Sequence, residues 1–199
     1  RIGLLSRNGD SNNVQWFDID RTYFFHTFNA HEDSNGNVIV TAAAYGRLFD
    51  TDWNGPFTES PPQLTKWELN TKSGQAISTK LDDRAVEFPR INPSLVGKSN
   101  QYAYALASSN PIEPDFKEIV KYDFKNDTSE VYEYGPGKFG AEPVFVAAEG
   151  TKSEDEGYLL SLVYNQETDK SDLIILNAKE PKSGPLATVH LPQRVPHGF

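Results

Sequence analysis

The chain reads as an all-β protein, part of a β-propeller with about three to four blades of four antiparallel strands. Three observations predict this. Apolar residues follow strand periodicity, and no window of eleven or more residues carries a 3.6-residue stripe. Gly, Pro, Asn and Asp punctuate the gaps between runs. A strand–polar turn–strand unit occurs three times: LTKWELNTKSGQAIST from Leu64, IVKYDFKNDTSEVYEY from Ile119 and LIILNAKEPKSGPLATVHL from Leu173. Anchored on Leu69, Phe124 and Leu176, the units lie 55 and 52 residues apart. A period near 50 with about four strands per unit is that of propeller blades. A β-sandwich with three look-alike hairpins is the alternative.

The elements follow in order. Residues 37–45 (NVIVTAAAY) form a strand after Asn35-Gly36, a hairpin turn signal. Residues 64–69, 101–106 and 119–124 alternate, and 157–164 (GYLLSLVY) read as a buried strand followed by 173–176 and 187–191. Closing a ring takes about 4–8 blades. The expectation is therefore that residues 1–199 are part of one propeller domain whose N-terminal blades and final strand lie outside the chain. The absence of methionine, even at position 1, fits a processed chain or a piece of a longer one.

With 19 Lys+Arg against 28 Asp+Glu, the net charge of −9 argues against a nucleic-acid partner. The absence of cysteine excludes disulfides and thiolate metal sites and leaves the redox compartment undetermined. The longest apolar runs fall well short of the roughly 20 residues of a membrane helix, and no secretory leader opens the chain. No GxSxG, GxGxxG or phosphate loop is present. Asn126-Asp127-Thr128 matches a glycosylation acceptor and reads as a turn.

Chemistry then rests on histidine and carboxylate. His190 alternates with Val189 and Leu191 and points to solvent, and His197 sits in a turn-like stretch. His26 follows Tyr23-Phe24-Phe25; in an extended stretch it shares a face with Phe24 and Phe28, an imidazole walled by aromatics. With His31 it makes an HxxxxH pair that lacks the helical spacing of zinc motifs. Glu142 and Glu154 stand at strand starts, where they are placed to accept the N–H of a metal-bound imidazole. Glu32 either supports the His26 loop or is an exposed hairpin charge. Such acidic runs are more often solvated turns, and such phenylalanines more often core.

Read together, the segments RIGLL (1–5), WFDID (16–20), FHTFNAHED (25–33), EFPRINP (87–93), EPVFV (142–146), EDEGY (154–158) and LPQRVPHGF (191–199) resemble the carotenoid oxygenases, in that family's order. The resemblance implies a seven-bladed propeller with a helical dome and an axial non-haem Fe(II) bound by four histidines, three of them held by glutamates. His26 takes the place of the third iron ligand. Glu142 and Glu154 take two of the supporting places, and His31 is not assigned to iron. The first two ligand motifs are absent, and the last ligand would follow Phe199. Two-fifths of a family member is covered, so the chain alone is expected to be inactive.

The implied activity of the full-length protein is cleavage of a conjugated C=C bond of a carotenoid or apocarotenoid with O2, giving carbonyl products. Alternatives are stilbene cleavage or isomerisation on the same fold, or a non-catalytic binding propeller. The implied partners are an apolar polyene or stilbene and O2, with Phe24 and Phe28 as substrate-tunnel residues beside Phe25. A cytoplasmic or plastid-like location is compatible, as is peripheral membrane contact through parts outside the chain.

Overall fold

The structure is a computed structural model that describes residues 1–53, 59–108, 110 and 115–196; His197 and Phe199 lie outside the described residues. In chain order the strands are β1 (Ile2–Leu4), β2 (Gln15–Phe17), β3 (Thr27–Glu32), β4 (Val38–Ala44), β5 (Gln63–Leu69), β6 (Ala76–Lys80), β7 (Ala85–Arg90), β8 (Tyr102–Ser108), β9 (Glu118–Asp123), β10 (Thr128–Glu133), β11 (Lys138–Gly140), β12 (Val144–Ala147), β13 (Gly157–Asn165), β14 (Lys170–Asn177) and β15 (Pro185–His190). They form three antiparallel meanders, β3 to β6, β7 to β10, and β11/β12 to β15, plus the ribbon β1–β2. The three repeats of the sequence are the outer hairpins of these three blades, β5–β6, β9–β10 and β14–β15. The third blade has five strands because β11 and β12 both pair with β13.

Blades stack because their central strands are apolar on both faces. In β8, Ala103, Ala105 and Ala107 pack toward the first blade with Phe28, Leu64 and Val120. Tyr104 and Leu106 point the other way, onto Phe145, Leu159 and Leu176 of the third blade. Alanines at the facing positions let the backbones of neighbouring sheets approach. The outer face of the first blade, with Trp67 and Leu69, is covered by Phe17 and by Ile2 and Leu4 of the ribbon. The hairpin before β4 turns at Gly36 (φ +81°), and Asp33 accepts the Asn35 and Asn37 N–H groups. Asn126 lies in a turn, where Asp123 accepts its backbone and side-chain N–H groups.

Polar ties cross each blade boundary. Buried Asn29 donates to the Lys98 carbonyl and Asn100, and accepts the Gly97 N–H. At the second boundary, Lys121 Nζ reaches Asp155 Oδ2 at 2.8 Å and the Lys179 carbonyl, with both charged side chains under a tenth exposed. Burial pushes the Asp155 carboxyl up, but the hydrogen bond and charge of Lys121 and the Ser153 hydroxyl outweigh it, so its affinity for protons ends below the ordinary carboxylate value. The stability it contributes is complete above about pH 4 and is lost as pH falls through the lowered folded value. D155N, which leaves Lys121 buried without a counter-charge, is expected to cost about 3–5 kcal/mol at pH 7. Denaturant unfolding should show the gap to wild type shrinking as pH falls below about 4.

Candidate functional site

The innermost strand of each blade is irregular at the same level. β3 slips register between Thr27 and Asn29, and β7 slips between Glu87 and Arg90. In the third blade the chain breaks between β11 and β12, with Ala141 N–H turned to the Leu162 carbonyl. Bulges re-aim side chains beside functional sites. Here they bring His26, Glu87 and Glu142 to the wall of one cavity of about 800 Å³, whose other walls include Phe25, Phe88, Leu106, Phe116 and Leu162.

Glu87 organises this wall. It is 2% exposed. His26 Nδ1 donates to its Oε2 at 2.7 Å, and the Phe88 N–H donates to the same oxygen at 2.8 Å. The Tyr45 hydroxyl donates to Oε1 at 2.9 Å. Burial first, then the Glu87 charge and hydrogen bond, pushes the Tyr45 phenol far above its usual range, so it stays a donor. A carboxylate only accepts, so the proton of this bond sits on His26 Nδ1, the arrangement in which a carboxylate-held imidazole ligates a metal through Nε2. Phe88 holds φ at +52°, a conformation uncommon for a bulky residue, which places its ring 5.2 Å from the imidazole.

The other predicted residues divide. Glu142 lines the same cavity, and the Arg90 fork grips it, Nε on Oε1 and Nη2 on Oε2, each at 2.8 Å. Glu154 is elsewhere, a correction to the expectation that it orients an imidazole at this site. Its carboxylate accepts the Gln101 and Tyr102 N–H groups at the start of β8, beside the Lys121–Asp155 pair. The acidic run before β13 is thus a tie between blades. It faces a second cavity of about 680 Å³.

Phe24 and Phe28 are also corrected. The slip at residues 27–29 breaks the alternation between His26 and Phe28, and Phe24 precedes β3 in a stretch that bends at Phe25 and is not a regular strand. Phe24 packs on Trp67 and Phe28 on Tyr122, both in core clusters, and Phe25 is the aromatic that lines the cavity. His31 faces the second cavity, its pKa lowered by burial against the opposing charge of Asp33. Glu32 is exposed, and His190 is solvent-exposed and paired with Asp172. Glu87 itself went unread, although Pro89 in an otherwise β-like EFPR run marks a bulge.

Among the described residues no three His, Cys, Asp or Glu side chains are placed to hold a metal together. Among the described residues His26 is the imidazole at this wall, held by Glu87. Gly140 closes this wall, and a Cβ there would sit inside the ring of buried Tyr134, which bonds Ser161. G140A is expected to cost about 1–3 kcal/mol, read as a lowered melting temperature.

Bulged inner strands of propeller-type blades, set around an apolar cavity with a carboxylate-held imidazole, define the class. The family described as retinal pigment epithelial membrane protein matches residues 1–199, and the chain belongs to that family, the carotenoid oxygenases. A carotenoid cleavage oxygenase of Mycobacterium tuberculosis is 35% identical over 211 residues, covering 100% of this chain and 41% of the relative. Carotenoid 9,10(9',10')-cleavage dioxygenase 1 of Pisum sativum is 34% identical over 218 residues, covering 100% and 40%. The crystal structure of cobalt-substituted Synechocystis apocarotenoid oxygenase superimposes with a TM-score of 0.90 at 27% identity, covering 98% of this chain and 42% of that one. The chain thus spans about two-fifths of the length of its curated relatives.

Proposed function

We propose that the full-length protein containing this chain is a non-haem Fe(II) dioxygenase. It cleaves a conjugated C=C bond of a carotenoid or apocarotenoid, both atoms of O2 entering the two carbonyl products. The observation that carries this reading is His26, protonated toward Glu87 and set in the wall of an apolar cavity. The names of the relatives support the substrate class.

The residues fit the metal in kind. His26 would supply one imidazole, with the remaining ligands outside this chain, and the bound iron would supply the activation of O2. The chain's own part is binding and orientation. Phe25, Phe88, Leu106, Phe116 and Leu162 give a polyene an apolar surface and exclude water. Glu87 fixes the His26 ring and its tautomer. Arg90 holds Glu142 at the same wall as a carboxylate able to accept a donor from another part of the protein.

Full-length protein is expected to contain about one iron per chain and to yield aldehyde or ketone products from an apocarotenoid. H26A should lose most of both. Elemental analysis and product chromatography check this. An iron-free protein, or one that returns only isomerised or unchanged polyene, overturns the reading in favour of an isomerase or a binding propeller.

A further inference from the structure

We propose that Tyr45 is a positioning residue for the metal ligand, acting entirely through Glu87; this rests on the reading of His26 as a ligand. Tyr45 follows β4 and is 1% exposed. Its backbone pairs with Tyr23 in both directions, which fixes where the ring enters. Phe25 packs edge-on against it, ring centroids 5.6 Å apart. The hydroxyl therefore reaches Glu87 Oε1 from a side chain with little freedom.

Geometry gives this bond its consequence. Glu87 carries His26 and the Phe88 N–H on one oxygen and Tyr45 on the other. The Phe88 bond is local and fixes one edge of the carboxylate. The Tyr45 bond comes from the neighbouring blade and fixes the second, so the carboxylate plane cannot rotate away from Nδ1. Without the hydroxyl, a buried oxygen loses its donor, and the carboxylate gains the freedom to turn, taking the imidazole with it. Groups one step behind a ligand typically change metal affinity by about 10–100-fold when removed. Tyr45, a step further back, should fall at the low end.

The test is titration of metal-free, full-length protein with Co(II) against a chelating dye, in wild type, H26A, E87A, Y45F and E87A/Y45F. Y45F keeps the buried ring, so a packing role would leave affinity unchanged. The expected result is about ten-fold weaker binding in Y45F, a greater loss in E87A, and no further loss in E87A/Y45F. Wild-type affinity in Y45F overturns the proposal, as does equal loss in both backgrounds. Should Y45F be too unstable to titrate at room temperature, the series is titrated in the cold, and a further loss in E87A/Y45F beyond E87A overturns the proposal by itself. Wild-type affinity in H26A would instead overturn the ligand reading itself, whatever Tyr45 does.

Discussion

A carboxylate buried to 2% exposure is costly unless every lone pair it presents inward is used. Glu87 meets that demand with donors from three places: the segment before β3, the residue after β4, and its own successor in β7. Two of these belong to the neighbouring blade. The two bonds that cross therefore fix the first two blades against each other while they help make the charge tolerable, and one of them orients the His26 imidazole in the cavity. Fold and site are coupled at this group.

Division of labour within each blade follows from sheet geometry. Central and outer strands pair almost continuously, with one slip between Ile175 and Leu176 of β14, and apolar side chains fill the gaps between blades. The innermost strands give up alternation for bulges. That costs ladder hydrogen bonds and returns side-chain directions that a regular strand does not allow. His26, Glu87 and Glu142 all lie at such breaks. Polar ties elsewhere serve alignment: Asn29 at the first boundary, Lys121 with Asp155 and Glu154 at the second.

This division explains what was legible in the sequence. The outer hairpins repeat because their turns are polar and their strands keep an apolar run, so three of them sufficed to expose the blade period. The inner strands β3, β7 and β11 escaped pattern reading because the bulges interrupt the pattern. His26 was legible through the residues around it. Its partner was not, since 61 residues separate the two and Pro89, the one local mark of a bulge beside Glu87, does not say what the carboxylate meets. Phe28 was misplaced for the same reason as the inner strands, since one slipped residue reverses which face a side chain takes, and Phe24 because the chain before β3 bends at Phe25 and is not a regular strand.

The account is tested most directly by anomalous diffraction at the cobalt or iron edge from crystals of the metal-loaded full-length protein. It predicts a single strong peak at bonding distance from Nε2 of His26, with Nδ1 still on Glu87. A peak away from His26, or an imidazole turned off Glu87 with the metal bound elsewhere, would contradict it.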